Sequence, residues 1–302
     1  MEQEMEQEME ARAADGGGVL LVDKPAGITS HDVVAIIRRA THTRRVGHTG
    51  TLDPFATGLL VVLVGRGTRL IPYVEGEPKV YDATIRFGSE TDTDDTTGET
   101  TRTAHAPADA AVASGIAQLT GVLDQIPPAY SAKKVAGTRA YAAARRGEAL
   151  ELPPSRIVVH AWTVTGRDGV DLAATITCSG GTYIRALARD LGRLTNSAAH
   201  LAALRRTHAG PFSLGDAVSI DALRRPGLTL LPLRAAVPSL HVHTIGAADV
   251  ERVSHGNAVA LPTGLIPDEG ARVALVDDVE TLIAVAEYSA GALQPKLVLR
   301  DA

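Results

Sequence analysis

Short segments with the apolar pattern of β-strands set the architecture of this chain. In Lys79–Phe87 four apolar residues share one face: Tyr81, Ala83, Ile85 and Phe87. Residues 172–178 alternate in the same way, and Cys178 falls on their apolar face. Alternation with a period of two predicts strands that bury one side. Residues 157–164 are a further strand candidate, and the aliphatic run 59–64 predicts a central strand.

Helices are predicted between these strands. Ser30 is the expected N-cap of the first helix. The apolar residues that follow it recur at helical spacing: Val33, Ile36, Ile37 and Ala40. Thr182 is the expected cap of another helix, on which Arg185, Arg189 and Arg193 recur every four residues along one face.

The composition excludes several classes of protein. The 302 residues contain one cysteine, which excludes a disulfide framework and a multi-thiolate zinc site. The longest apolar runs are too short to cross a bilayer, and the acidic N-terminus lacks the apolar core of a secretory signal. We therefore expect a cytoplasmic protein that does not enter a membrane. Its first 17 residues, which begin with a tandem MEQE repeat, are expected to be a disordered leader.

The formal net charge of −5 is distributed unevenly along the chain. Residues 16–239 contain 25 basic and 20 acidic residues, whereas residues 1–15 and 240–302 are both acidic. A basic central block indicates either a polyanionic partner or a solvated basic face. Where the charge changes sign we place a domain boundary. A main domain is then expected over residues 18–238, and a small, mostly β, barrel-like module over residues 239–302.

Cations and tyrosines are interleaved in residues 124–150. The basic residues are Lys133, Lys134, Arg139, Arg145 and Arg146. Tyr130 and Tyr141 lie among them. Such a composition is typical of a loop that grips a nucleic-acid backbone. An exposed surface excursion with solvated charges would have the same composition, so the pattern alone leaves both interpretations open.

The densest unusual stretch is residues 47–58, where three glycines and a proline surround one carboxylate, Asp53. Such a loop can hold the carboxylate at the floor of a cleft and let the backbone approach a ligand closely. By itself the stretch also fits an aspartate that caps a turn. The sequence contains no complete dinucleotide loop, P-loop, zinc-protease or calcium-loop motif. It therefore carries no cofactor or metal signature.

Residues 47–58 closely resemble the active-site loop of the TruB family of tRNA pseudouridine synthases. Other motifs of that family have counterparts in the same order, in residues 19–31, 79–81, 91–95, 126–133, 178–185 and 204–207. Residues 124–150 correspond to its RNA-gripping thumb loop, and residues 239–302 resemble its PUA domain. The resemblance implies an α+β protein with the pseudouridine-synthase fold. This fold has a mixed, mainly antiparallel sheet flanked by helices and loops, plus a small C-terminal PUA-like β-barrel domain.

The resemblance also implies catalytic roles for three residues. Asp53 matches the family's essential aspartate, and Arg185 matches the arginine that pairs with it. We expect this guanidinium to fix the carboxylate and to keep its pKa low. Tyr81 matches the family tyrosine, whose ring can stack on uracil and which is the candidate acceptor of the C5 proton.

Five further residues are expected to contact the substrate. Tyr183 and Leu204 correspond to residues that line the base pocket. His48 corresponds to a histidine that helps to fill the space left by the departing base, and Lys24 is expected to help orient the site. Lys133 lies in the counterpart of the thumb loop, where it is expected to bind RNA.

The activity implied by the resemblance is isomerisation of uridine 55 in the T-loop of tRNA. The N1–C1′ bond breaks, the uracil turns, and C5 joins C1′, so the reaction is redox-neutral and no cofactor or metal is expected. The target must be flipped out of the folded T-arm at the tRNA elbow. The expected partner is tRNA alone, bound by a monomer, and assistance to RNA folding is a secondary expectation. Whether Asp53 attacks C1′ or abstracts a ribose proton stays open.

Two other functions compete with this one. A non-catalytic RNA-binding or RNA-folding protein would share the scaffold, but would not require the intact Asp53 loop. A hydrolase that uses Asp53 as nucleophile on another glycosidic bond would need a second carboxylate placed as an acid, and the sequence shows no evident one.

Overall fold

The computed structural model describes residues 17–131, 133–135, 138–139, 141, 146, 152–225, 227–261 and 268–300. The helices in these ranges are α1 (Ser30–Ala40), α2 (Asp109–Gln118), α3 (Ile184–Leu194) and α4 (Ala247–Ser254). The strands, in chain order, are β1 (Gly18–Lys24), β2 (Val46–His48), β3 (Thr57–Val64), β4 (Lys79–Phe87), β5 (Ser89–Thr91), β6 (Thr100–Thr103), β7 (Gly121–Gln125), β8 (Lys134–Val135), β9 (Thr138–Arg139), β10 (Ser155–Asp168), β11 (Asp171–Cys178), β12 (Ala199–Ala209), β13 (Phe212–Ser213), β14 (Val218–Ser219), β15 (His241–Thr244), β16 (Val259–Ala260), β17 (Arg272–Val276), β18 (Leu282–Ser289) and β19 (Ala292–Val298). Of the predicted leader, residues 1–16 lie outside the described residues, and the predicted thumb loop is described only in part.

One large sheet forms the centre of the molecule. Its strands follow the order β14–β1–β3–β12–β4–β11–β10–β7, with β2 added beside β3 and β13 beside β12. The pairs β1/β14 and β3/β12 are parallel, and the other pairs of the described sheet are antiparallel. The sheet is therefore mixed and mainly antiparallel, as predicted. The predicted central strand is β3, which lies between β1 and β12 and is buried along nearly all of its length.

The two alternating segments of the sequence form neighbouring strands. β4 has the predicted bounds, and β11 begins one residue before the predicted segment. They pair antiparallel with Tyr81 opposite Ile176. Their apolar faces pack in one buried cluster with Ile184, Leu187 and Leu191 of α3. Because Tyr81 belongs to the buried face of β4, the sheet places its ring beside the start of α3.

Helix α1 begins one residue away from the predicted cap. Thr29 is the N-cap: its hydroxyl accepts a hydrogen bond from the Asp32 N–H (3.0 Å). The Asp32 carboxylate in turn accepts one from the Thr29 N–H (2.8 Å), which completes a capping box. The prediction that Ser30 caps the helix is wrong because the adjacent threonine, an equally suitable cap, has its aspartate partner three residues later.

Helix α3 begins without the predicted threonine cap. Tyr183 precedes its first residue, and Thr182 makes no capping hydrogen bond. Instead the Tyr183 N–H donates to Oε1 of Gln125 (2.9 Å), and Nε2 of Gln125 donates to the Tyr183 carbonyl (3.1 Å). A buried amide on β7 therefore satisfies the backbone just before the helix, which local sequence spacing could not indicate.

The C-terminal part contains a second sheet. Its strands follow the order β15–β17–β18–β19–β16, and α4 packs against them. The module is mostly β, as predicted, with α4 as its helix. This half-barrel sheet is consistent with the predicted PUA-like domain.

The two sheets share a hydrophobic core. Side chains of β1 and β3 lie in one buried cluster with side chains of β17, β18 and β19: Val19, Leu21, Leu59, Val61, Leu63, Ala274, Val276, Leu282, Val285 and Leu297. Two arginines that follow β3 add polar contacts. Arg66 donates to the Leu299 carbonyl (3.1 Å) and Arg69 to the Val298 carbonyl (2.6 Å). The C-terminal module is therefore packed directly against the strands next to the Asp53 loop.

Cys178 should be almost unreactive in the folded protein. It is fully buried on the apolar face of β11, as predicted, and burial raises the pKa of its thiol to about 11. Since the thiolate is the reactive form, we expect iodoacetamide to label native protein at pH 8 more than about 100-fold more slowly than the urea-unfolded chain. Mass spectrometry of timed samples measures both rates. Equal rates would show that the end of β11, where Cys178 lies, opens readily.

Candidate active site

The loop that carries Asp53 connects β2 to β3 and is fixed by the segment that follows β1. The Leu52 N–H donates to Oγ of Ser30 (2.9 Å), and this hydroxyl donates back to the Leu52 carbonyl (3.1 Å). The Gly27 N–H donates to the Pro54 carbonyl (2.8 Å). Hydrogen bonds on both sides of Asp53 thus hold its backbone in one conformation.

Lys24 stabilises the same loop from the interior. Its fully buried ammonium group donates to the carbonyls of Pro25 and Ile28 (2.9 Å each) and lies 3.4 Å from the Pro54 carbonyl. Burial lowers the pKa of Lys24 to about 8, and the nearby Asp53 charge opposes this shift. The ammonium group of Lys24 therefore holds the backbone of the loop, and its expected role in orienting the site stays a prediction.

Arg206 joins the loop to the neighbouring strands. Its buried guanidinium donates to the carbonyls of Leu59 (2.8 Å) and Gly50 (3.0 Å), and its charge acts on the Tyr81 hydroxyl. β12 approaches β3 so closely here that a Cβ on Gly58, whose φ is +100°, would lie 2.3 Å from the Arg206 carbonyl oxygen. A glycine is required at this crossing because both the backbone angle and the space exclude a side chain.

Asp53 and Arg185 form the predicted ion pair. Nε of Arg185 lies 2.9 Å from Oδ2 of Asp53, and its Nη1 lies 3.5 Å from Oδ2 of Asp95. The same guanidinium donates to the carbonyls of Thr93 (2.7 Å) and Tyr130 (2.9 Å). With its side chain only 5% exposed and all three of its nitrogens engaged, Arg185 is a rigid, desolvated partner for a carboxylate that is itself 36% exposed.

The pKa of Asp53 differs from the sequence-based expectation. Burial raises this pKa above its ordinary value, and the Asp95 charge acts in the same direction. The charges of Arg185 and Lys24 lower it but do not offset the burial. The expectation that Arg185 keeps this pKa low is therefore wrong in its net direction, because removal of water from the carboxylate outweighs the guanidinium.

A cavity of about 500 Å³ opens above this ion pair. Asp53, Tyr81, Arg185, Tyr183 and Leu204 all line it, so that five of the eight predicted site residues come together. The wall also includes side chains that the sequence reasoning did not assign: His31, Lys79, Tyr130, Tyr141 and Thr182. The cavity thus has one carboxylate at its floor and tyrosines around it.

The other three predicted site residues, Lys24, His48 and Lys133, are not among the residues that line this cavity. The His48 ring is half-buried and packs edge-on against His31, with ring centroids 5.9 Å apart. Nδ1 of His48 has no hydrogen-bond partner among the described residues. The Lys133 ammonium group donates to the Pro153 carbonyl (2.9 Å) and to the Ser155 hydroxyl, which anchors the thumb segment to the start of β10.

Two groups near the site were missed by the sequence reasoning. Residues 91–95 matched a family motif, but their carboxylates were given no partner in the sequence analysis. In the structure Asp94 forms a buried ion pair with Arg189 (2.9 Å), and Asp95 faces Arg185. Arg206 lies in the matched motif 204–207, but the sequence analysis gave it no role. The period of a strand could have indicated it, since Arg206 lies two residues after Leu204 and therefore shares its face.

Two features are absent from the described ranges. No helix in this part of the chain is long and apolar enough to cross a membrane. No group of three or more His, Cys, Asp or Glu side chains that could hold a metal ion occurs in it.

Two solved structures superpose on this chain over most of its length. A chain from the "Structure of H/ACA RNP bound to a substrate RNA containing 2'-deoxyuridine" superposes with a TM-score of 0.72 at 22% identity, covering 98% of this chain and 89% of that one. A chain from the "Crystal Structure of a Cbf5-Nop10-Gar1 Complex" gives a TM-score of 0.71 at 23% identity, covering 96% and 87%. Both similarities concern the fold alone and agree with the predicted fold class.

Relatives found by sequence have a higher identity to this chain than these solved structures. The family model for the N-terminal domain of TruB family pseudouridylate synthase matches residues 38–184, and the model for the tRNA pseudouridylate synthase B C-terminal domain matches residues 185–228. The "tRNA pseudouridine synthase B" of Thermobifida fusca is 48% identical over 93% of this chain and 98% of its own length. The protein of the same name from Paenarthrobacter aurescens is 46% identical over 82% of each chain. The matched motifs, the fold and these relatives together show that the chain belongs to the TruB family of pseudouridylate synthases.

Proposed function

We propose that this protein isomerises uridine 55 in the T-loop of tRNA to pseudouridine. The observation that carries the proposal is the Asp53 carboxylate, held by the buried Arg185 at the floor of a cavity walled by tyrosines. An ionised carboxylate in this position can attack C1′ of the ribose or take a proton from it, and either step allows the N1–C1′ bond to break. The names of the relatives support tRNA as the substrate.

The cavity residues supply the remaining contacts. The ring of Tyr81 stacks on the uracil, and its hydroxyl is the candidate acceptor of the C5 proton. Burial raises the pKa of Tyr81, and the charge of Arg206 acts in the opposite direction. This residue therefore enters the reaction as a neutral phenol, and when its oxygen accepts the C5 proton its own hydroxyl proton leaves to water. Tyr183 and Leu204 complete the wall around the base, and His48 fills the space that the base leaves.

The substrate nucleotide is flipped out of the T-arm into the cavity. A cavity of about 500 Å³ accommodates a nucleobase and its ribose, and the cost of unstacking is a few kcal/mol, which stacking and base-edge contacts offset. Residues 18–238 form the catalytic domain, residues 124–150 serve as its thumb loop for RNA, and residues 239–302 form the PUA-like module. The protein acts in the cytoplasm as a monomer on tRNA, without an obligatory protein partner, cofactor or metal ion.

The decisive experiment uses purified protein and tRNA transcribed without modifications. Pseudouridine is mapped at every position, and a tRNA with cytidine at position 55 serves as the control. We expect pseudouridine at position 55 of the first RNA and at no position of the control. Binding without any pseudouridine would leave an RNA-binding or RNA-folding protein, and release of free uracil would indicate a glycosidic hydrolase.

The acid limb of the pH–rate profile should report the ionisation of Asp53. The reaction requires the carboxylate, so kcat/KM falls as the pH falls through the pKa of Asp53 in the free enzyme. Because burial raises this pKa, the fall begins above the pH expected for an ordinary aspartate, whose pKa is about 3.9. Lys24→Met removes a charge that lowers the pKa and should move the limb to still higher pH.

Profiles of the wild type and of Lys24→Met between about pH 4 and pH 8 test this expectation. Lys296→Met is the matched control, because this exposed lysine pairs with Glu287 in the C-terminal sheet. A limb that stays in place in Lys24→Met would show that the ammonium group does not act on the carboxylate.

A further inference from the structure

Four arginines lie close together where α1 ends and the chain turns into β2. Arg38 and Arg39 occupy the last turn of the helix, and Arg44 and Arg45 lie in the connection. All four are exposed, and we call them the α1–β2 arginine surface. The sequence contains no carboxylate between Asp32 and Asp53, so their charges are not neutralised by neighbours along the chain.

These arginines differ from several others in the described chain, whose guanidinium groups are held by carboxylates. Examples are the pairs Arg86–Asp171, Arg167–Asp109, Arg189–Asp94 and Arg205–Asp23. None of the four side chains of the α1–β2 arginine surface makes an ion pair or hydrogen bond with any described residue. The helix dipole accounts for Arg38 and Arg39, since cations near a helix C-terminus are stabilising. It does not account for Arg44 and Arg45, which lie beyond the helix.

The backbone beneath these side chains is fixed. The Thr41 N–H donates to the Ile37 carbonyl (2.9 Å) at the end of α1. The Arg45 N–H donates to the hydroxyl of Thr43 (3.2 Å), and the Arg45 carbonyl accepts from the Gly65 N–H (2.7 Å). The positive charges are thus presented from a preformed turn, so that binding an anion there would not require the turn to be ordered first.

The surface also lies at a suitable distance from the cavity. Ser30, the first residue of α1, is bonded to the loop that carries Asp53, and the 11 residues of the helix span about 16 Å. One strand of duplex DNA carries a phosphate about every 3.4 Å along the axis, and the spacing in an RNA stem is of the same order. A stem that runs along α1 and delivers a nucleotide to the cavity would therefore have phosphates at the far end of the helix, roughly five steps away.

We propose that the α1–β2 arginine surface binds the phosphate backbone of the RNA stem that carries the target nucleotide. The proposal rests on the proposed function and adds a docking surface outside the thumb loop, where the sequence had placed the RNA grip. Lys133 of that loop has its ammonium group engaged by Pro153 and Ser155, whereas Arg44 and Arg45 have free guanidinium groups within the described chain. Planar guanidinium groups suit bidentate contacts with phosphate.

The test compares Arg44→Ala/Arg45→Ala with the control Arg224→Ala/Arg252→Ala. The control removes the same charge from exposed arginines that have carboxylate partners at i−3. Affinity for unmodified tRNA and for an isolated T-arm hairpin is measured by filter binding from about 50 to 300 mM KCl. Single-turnover conversion is measured at saturating RNA, and Arg44→Lys/Arg45→Lys is included as the charge-conserving variant.

For Arg44→Ala/Arg45→Ala we expect Kd to rise about tenfold or more at 100 mM KCl, for both RNAs. The slope of log Kd against log salt should become shallower by about two, one for each phosphate that the variant no longer binds. The saturated rate should be unchanged, and the lysine variant should keep most of the salt dependence. Kd and slope equal to those of the control would overturn the docking surface, as would weaker binding of tRNA but not of the hairpin. Neither result depends on whether pseudouridine forms, so the failure of this proposal is distinguishable from failure of the proposed function.

Discussion

Asp53→Asn should abolish pseudouridine formation while leaving tRNA binding nearly intact. The substitution keeps the shape of the side chain but removes the negative charge that attacks C1′ or takes the ribose proton. Loss of a nucleophile or an essential base typically lowers kcat by a factor on the order of 10⁴ or more. The amide can still accept a hydrogen bond from Nε of Arg185, which lies 2.9 Å from the carboxylate in the wild type. The pocket is therefore expected to keep its form.

Single-turnover assays with site-resolved detection of pseudouridine, together with tRNA binding, measure both parts of this expectation. Asp221→Asn is the matched control, since it makes the same change of charge on a largely exposed side chain. Full activity in Asp53→Asn would show that the catalytic group has been misassigned, even if uridine 55 is the target. Loss of binding together with activity would show that the variant has lost its fold.

Arg185→Met should destabilise the protein as well as inactivate it. Arg185 is nearly buried and faces two carboxylates, Asp53 and Asp95, whose charges would repel each other without it. Removing one member of a buried ion pair typically costs about 3–5 kcal/mol of unfolding free energy, because the remaining charge is left without compensation. The carbonyls of Thr93 and Tyr130 would also lose their donors.

Urea unfolding monitored by circular dichroism gives the free energy of unfolding. Arg193→Met is the control on the same helix, because its side chain is 55% exposed and Glu90 keeps a second partner in Arg102, so that a loss below about 1 kcal/mol is expected. The double variant Arg185→Met/Asp95→Asn should recover part of the lost stability, since it removes one unpaired charge. A loss in Arg185→Met no larger than in Arg193→Met would mean that the carboxylates are not held by this guanidinium.

The sequence predicted those features that depend on local pattern. β4 has the bounds that alternation predicted, and the placement of Tyr81 on its buried face follows from the period of the strand. The motifs predicted the Asp53–Arg185 pair, and the structure brings the two residues together. The α1 cap was misplaced by one residue because Thr29 and Ser30 are both suitable cap residues, and only the Asp32 side chain decides between them.

The features that the sequence did not predict depend on contacts between distant segments. Asp94 and Asp95 belong to a polar turn that looks exposed in isolation, and they are buried because arginines of α3, some 90 residues later, approach them. The direction of the Asp53 pKa shift could not be derived from one neighbouring arginine, because it depends on how much water the surrounding elements remove. The Lys133 contacts with Pro153 and Ser155 likewise arise only when the chain returns to β10.

Because the two sheets share a hydrophobic core, the C-terminal sheet cannot be removed without exposing part of that core. Leu282, Val285 and Leu297 of the C-terminal sheet cover the same side chains, such as Leu59 and Val61, that support the strand following the Asp53 loop. A protein cut near residue 238 would present this apolar surface to water, which favours aggregation. The C-terminal sheet therefore covers one side of the strand that follows the Asp53 loop, and selection can maintain the sheet for that structural reason alone.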